Sequence, residues 1–132
     1  MPQELDGYVR DRLDQDRNVW LCTLRPDGSP HVTPVWFVYR EHVWWVASAA
    51  RNRKIRNLAL DPRVSLALED GVAPVVAEGR ATIQPEDFPA EIVAAFEAKY
   101  EGWDIRVPVP REGPRVLLRI PVTRWLLAGR AR

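Results

Sequence analysis

The segment 47–64, ASAARNRKIRNLALDPRV, constrains the fold more than any other part of this chain. It reads as the end of a strand, a short basic helix stopped at Asp61-Pro62, and the start of another strand. Arg51, Arg53, Lys54 and Arg56 fall within six residues at the start of that helix. A helix N-terminus carries unpaired N–H groups and about +0.5 of an elementary charge, which disfavours cations nearby unless an anion lies between them. The crowding therefore points to a docked phosphate or carboxylate. The competing reading is a solvated helix face that happens to be basic.

The 132 residues make one domain, 1–132, long enough to bury a core and short enough to favour dimerisation if a large ligand must be held. Nineteen basic against eighteen acidic residues leave a net charge of +1, so bulk charge does not point to nucleic acid or to an anionic membrane. Cys22 is the one cysteine, which excludes an internal disulfide and a thiolate metal cluster within one chain. Its place in the apolar run Val19-Trp20-Leu21-Cys22 predicts an inert core thiol. His31 and His42 have no carboxylate or cysteine at ligand spacing, so no metal site is expected. Residues 1–17 are polar and amphipathic with no apolar signal region, and the longest apolar run, 43–50, is too short to span a bilayer. A cytoplasmic location is expected.

Leu5, Tyr8, Val9 and Leu13 recur at helical spacing, predicting a first helix over 2–16. Residues 18–25 form a strand that ends at the turn Pro26-Asp27-Gly28-Ser29, and 31–40 form the second arm of a hairpin. Pro34 within that arm argues for a sheet edge or a bulge. A third strand, 43–48, is apolar on both faces, and 63–69 follows the basic helix. Residues 75–83 make a further strand with Gly79 as a bulge or point of close approach. Pro85-Glu86-Asp87 opens a helix to about Tyr100, with Phe88, Ile92, Ala95, Phe96 and Tyr100 on one face. Residues 107–114 read as a loop, and two short strands, 115–120 and 122–127, close the chain. Six or seven short antiparallel strands flanked by three helices predict a mainly β (α+β) fold, a small barrel whose closure limits exposed edges.

Four segments, in order, carry a resemblance. LRPDGSPHVTPVWF at 24–37, Arg53-Lys54 with Asn57-Leu58 and DPRVSL at 61–66, VAEGRA at 76–81, and residues 116–125 resemble the pyridoxamine 5'-phosphate oxidase-like split β-barrel flavoproteins. The likeness covers about residues 5–129. It implies a six- to seven-stranded antiparallel split barrel of the FMN-binding-protein type, a homodimer with cofactor at the subunit interface, and a small-molecule substrate. VTPVWF and the K-(x)2-N-L spacing are most similar to the actinobacterial branch that uses the deazaflavin coenzyme F-420, with FMN as the alternative. Pro74-Val75 stands where FMN-dependent relatives carry a glutamine, which weighs against FMN. Pyridoxamine 5'-phosphate oxidase proper is longer and has a C-terminal arginine-rich segment without counterpart in 123–132.

The resemblance assigns Arg53 and Lys54 to the cofactor phosphate, with a weaker match at Arg51. Asn57 matches a polar position one turn along, although a solvent-facing amide would read the same. Ser48 and Ala49 match the strand end that meets the flavin or deazaflavin ring through backbone groups. Thr33, Val35 and Trp36 match the strand lying along that ring. Arg124 matches a residue that reaches the cofactor from the partner subunit. Trp36, Trp44 and Trp45 equally suit core or interface packing, and Glu78 suits an arginine partner across the barrel.

No Ser-His-Asp or Cys-His set is available, and the carboxylate pairs Glu69-Asp70 and Glu86-Asp87 fall at a turn and a helix start. A chain so poor in its own chemistry suits a cofactor enzyme, in which the cofactor carries the hydride. The resemblance implies an F-420-dependent oxidoreductase without protein catalytic residues. FMN-dependent chemistry, or a non-catalytic module for flavin, haem or tetrapyrrole, is the alternative.

Overall fold

The computed structural model describes residues 4–131. Pro2 and Gln3, at the start of the expected first helix, lie outside the described residues. Helix α1 spans Gly7–Gln15 and is followed by strands β1 (Val19–Leu24), β2 (Pro30–Val35), β3 (Phe37–Arg40) and β4 (Val43–Ala49). Helix α2 (Arg53–Leu60) leads into β5 (Arg63–Leu68), β6 (Val75–Arg80) and β7 (Thr82–Gln84), and α3 (Ala90–Lys99) precedes the long β8 (Arg115–Ala128). The strands pair antiparallel in the order β2-β1-β5-β6-β8-β4-β3, with β7 also on β8. The sheet curls into a barrel split between β2 and β3, as the sequence resemblance implies. No described helix is long and apolar enough to cross a membrane.

Alternation explains the packing. Val19, Leu21, Val64, Leu66, Leu68, Val75 and Ala77 point inward and meet Trp44, Val46, Leu118 and Ile120 from the other half. Strand β4 is buried on both faces: Trp44 and Val46 enter the barrel, while Val43 and Trp45 lie under α3 with Ile92, Phe96, Tyr100 and Leu117. The Tyr100 hydroxyl fastens α3 to the sheet, accepting from the Phe37 N–H at 2.8 Å and donating to backbone carbonyls, 2.9 Å from both Phe37 O and Arg17 O.

Several sequence expectations are corrected. The hairpin arm over 31–40 is two strands broken at Trp36, because Val35 pairs with Val19 in one half of the sheet and Phe37 with Val46 in the other. The two closing strands are one strand: residues 115–121 pair with β4 and the rest with β6, and Pro121 sits where the β4 register ends. The expected strand over 75–83 divides at Ala81, giving eight strands among the described residues. Helix α3 starts after Pro89 rather than at Pro85, since Phe88 precedes a proline and Asp87 adopts φ 57. Cys22 is not a core thiol. Val19 and Leu21 face inward, which turns Cys22 outward, half-buried, between Val32 and Ser65.

Pro34 does lie on an edge strand, and Gly79 is a point of close approach between β6 and β8. A Cβ at position 79 would stand 2.5 Å from the Pro121 carbonyl oxygen, a backbone atom that no rotamer change can move. Gly79→Ala is expected to cost about 1–3 kcal/mol of stability by overpacking. The reading is a lower urea midpoint at unchanged slope; an unaltered midpoint would mean that this crossing is not tight.

Candidate functional site

Helix α2 lies across the mouth of the barrel because one of its faces is apolar. Ile55 and Leu58 insert into the core, and on the same side Lys54 and Asn57 are buried, while Arg53 and Arg56 stay exposed. Asn57 has no exposed surface, so its amide is not the solvent-facing group that the sequence also allowed. Its Nδ2 donates to the Thr23 hydroxyl at 3.0 Å, tying the helix to β1. Asn52 stands before the helix in an extended conformation and makes no side-chain cap. Its Oδ1 instead accepts from Lys54 Nζ at 3.0 Å. The Ile55 N–H donates to Asn52 O at 3.1 Å, so the Arg53 and Lys54 amides are the ones left to other acceptors. Burial pulls the Lys54 proton affinity down, and Glu112 partly restores it.

Strand β2 supplies the floor. His31, Thr33 and Val35 project from its inner side, and Thr23 is opposite His31 in register. Thr33 Oγ1 and His31 Nδ1 are both buried without a hydrogen-bond partner, and so is Asn57 Oδ1. Buried polar atoms are nearly always paired, so a group of orphans beside two cations marks a place built for something polar to enter. Burial, then the positive charges of Arg25, Lys54 and Arg53, lower the proton affinity of His31. Sequence reasoning weighed His31 only as a metal ligand. Its spacing of two from Thr33, which puts both on one strand face, was the usable signal.

The other wall is the loop before β8. The Ala50 N–H donates to Pro114 O at 2.8 Å and the Arg51 N–H to Glu112 O at 3.1 Å. Ser48 and Ala49 are buried and pair with Val116 and Arg115 of β8. The exposed Arg51 side chain lies against Gly113. Trp36, at the break between β2 and β3, is 40% exposed and stacks on Tyr100 with centroids 4.4 Å apart and 5° between planes. Trp103 meets it edge-on at 5.1 Å, and the Arg115 guanidinium lies 4.7 Å from the Trp103 ring.

Asn57 ties α2 to β1 at Thr23, the register partner of His31, and Thr33 and Val35 follow His31 along the same face of β2, while Arg53 and Lys54 lie at the start of α2. Arg124 does not join them. It is exposed on β8 and forms an ion pair with its register partner Glu78 at 2.7 Å, across an outward row that continues through Ser65 and Cys22 to Val32. Among the described residues no three His, Cys, Asp or Glu side chains converge as metal ligands.

The sequence profile described as pyridoxamine 5'-phosphate oxidase matches residues 5–128. The chain belongs to that family. One relative is the F-420H2-dependent biliverdin reductase of Mycobacterium tuberculosis, 29% identical over 117 residues that cover 86% of this chain and 81% of the reductase. The crystal structure of a conserved hypothetical protein from Mycobacterium tuberculosis superposes with a TM-score of 0.71 at 30% identity, covering 93% of this chain and 83% of that one. A solved F-420 reductase gives a TM-score of 0.71 over 95% of this chain and 98% of its own, at 22% identity, a likeness of fold. Family membership and these relatives support a flavin- or deazaflavin-related oxidoreductase. The orphaned Thr33 hydroxyl and the Arg53–Lys54 helix end fit the phosphate-bearing side chain of such a cofactor.

Proposed function

We propose that this protein binds coenzyme F-420 and acts as an oxidoreductase on an unsaturated small molecule. The observation that carries the reading is the buried, unpartnered Thr33 hydroxyl on the strand face closed by the Arg53–Lys54 helix end. The relative named for F-420H2-dependent reduction directs the choice of cofactor toward the deazaflavin.

When bound, the cofactor supplies the hydride. The chain's own residues bind and orient. Arg53, Lys54 and their backbone amides at the start of α2 hold the phosphate, and Thr33 offers a hydroxyl to the side chain next to it. Asn57 acts as a positioning residue through its Nδ2 bond to Thr23. Trp36, backed by Tyr100 and edged by Trp103, forms an apolar wall that keeps water from the face where the substrate lies. Reduction of an unsaturated bond needs a proton as well as the hydride, and Tyr100 is not placed to give it. It is 3% exposed, its hydroxyl is engaged by backbone groups, and burial pushes its pKa up to about 12. Rate then comes chiefly from positioning.

The protein acts as a homodimer in the cytoplasm, and the outward side of β1 and β2 offers the surface for its second copy. Trp20 is 40% exposed and Val32 54%, with Pro34 beside them, an apolar surface that a second copy would cover. Arg124 lies on the same outward side, from which it would reach the partner's cofactor.

Titration of the apo-protein with F-420 and with FMN, read by fluorescence and followed by turnover against a panel of unsaturated acceptors, tests the reading. Tight F-420 binding, weak FMN binding and acceptor reduction are expected. Preferential FMN binding would make the protein an FMN-dependent oxidoreductase. Binding of flavin, haem or tetrapyrrole without turnover would make it a carrier.

A further inference from the structure

We propose that His31 is an anion-contacting residue of this site and that its imidazole takes up a proton as a phosphate-bearing ligand docks between β2 and the start of α2. The inference rests on the cofactor reading for what the ligand is, and on this chain's geometry for what the residue does.

His31 lies two residues before Thr33, so both side chains leave one face of β2. Its Nδ1 is buried without a partner, as is Thr33 Oγ1, so two polar atoms on one strand face stand ready for the same guest. In register His31 faces Thr23, whose hydroxyl holds Asn57 of α2, and this places the imidazole beneath the helix that carries Arg53 and Lys54. Unlike the orphaned indole nitrogen of Trp44 within the core, the His31 nitrogen shares its strand face with the orphaned Thr33 hydroxyl and feels the charges of Arg53 and Lys54.

The charges around the ring all have one sign. Arg25 acts on it from the turn after β1, and Arg53 and Lys54 act from α2. No carboxylate is among the described groups that act on it; Glu112, on the loop before β8, acts on Lys54. In the free protein burial and three cations all oppose the charged form of the ring. A phosphate entering this position reverses the local field, and an imidazolium facing it forms a charge-assisted hydrogen bond. The proton is taken from solvent.

The sign of the pH dependence follows. Below the free-state midpoint the ring is already charged and affinity does not change with pH. Between the free and bound midpoints binding takes up a proton, and affinity falls about tenfold for each pH unit of increase. Above the bound midpoint affinity is flat and weaker.

The test uses the ring C–H proton resonances of the unaltered chain, which has two histidines, His31 and His42, assigned by comparison with His42→Gln. Each resonance is titrated with pH in the free protein and in protein saturated with F-420, FMN or inorganic pyrophosphate. The His31 midpoint is expected to rise by about one unit or more on binding while that of His42 stays put. His31→Gln, carrying the same ligand, subtracts any titration of the ligand and should bind about tenfold more weakly at pH 6 with a flatter pH profile. Cofactor fluorescence reports binding separately. F-420 or FMN bound with an unmoved His31 resonance overturns this inference and leaves the proposed function standing. A pyrophosphate-shifted His31 in a protein that binds neither cofactor supports the inference and overturns that function. Failure of every probe to bind overturns both. The resonance measurement needs no variant at His31, so a misfolded His31→Gln protein does not blunt it.

Discussion

Arg53→Ala combined with Lys54→Ala is expected to weaken cofactor binding by about 3–6 kcal/mol, roughly two to four orders of magnitude in Kd, from two charge-assisted bonds of about 1.5–3 kcal/mol each. The two residues should not contribute equally. Arg53 is exposed, so water and salt screen it, whereas Lys54 is 7% exposed and held by Asn52 Oδ1 at 3.0 Å. Lys54→Ala alone should therefore account for most of the loss. The same burial distinguishes binding from stability. The lowered proton affinity of Lys54 means that the folded chain disfavours its charge when no anion is present. Lys54→Met, which keeps the stem and drops the ammonium, should melt no lower than the natural protein while losing most of its ligand affinity. An equilibrium titration paired with a thermal melt checks both halves. An unchanged Kd for the double variant would remove the phosphate assignment, and a melt that collapses with Lys54→Met would make the lysine structural.

How much of this was legible in the sequence depends on whether the deciding contact was local. The basic helix start, the edge position of Pro34 and the close approach at Gly79 were readable because each rests on backbone chemistry within a few residues. The break at Trp36 was not. The chain stays extended there, and dihedral preference carries no information about which strand each residue pairs with. Pro121 misled in the opposite direction, since its ring tolerates extended backbone and only the missing N–H matters, which falls where β4 ends. At the site, Arg53 and Lys54 stood out through charge spacing. The bond from Asn57 to Thr23 spans 34 residues, so nothing near Asn57 in the sequence announces that it is buried. Cys22 was misread as core because an apolar run hides its alternation: with Val19 and Leu21 inward, Trp20 and Cys22 must face out.

Trp44→Ala is expected to lower the stability by about 3–5 kcal/mol, a large part of the about 5–15 kcal/mol that holds a domain of this kind together. Trp44 has no exposed surface and is the largest fully buried side chain among the described residues. Its ring joins three strands: Phe37 at 5.1 Å and Tyr39 at 5.4 Å on β3, and Trp125 at 6.1 Å on β8. Removing it opens a cavity where both halves of the split barrel meet. The indole also carries a liability, because its Nε1 is buried without a partner. Trp44→Phe removes that orphaned donor together with part of the ring, so the loss of contact is offset by relief of an unpaired N–H worth about 1–3 kcal/mol. The phenylalanine variant should therefore lie far closer to the natural protein than the alanine variant. Urea melts of the three proteins decide the order. Equal losses for Phe and Ala would mean that the indole N–H has a partner, and a loss below about 1 kcal/mol for Ala would mean that the core closes around the gap. Since Trp44 shares β4 with Ser48 and Ala49, the alanine variant should lose cofactor binding only through its unfolded fraction. Saturating ligand should then raise its midpoint by the amount mass action requires, RT ln(1 + [L]/Kd), with the Kd of the natural protein.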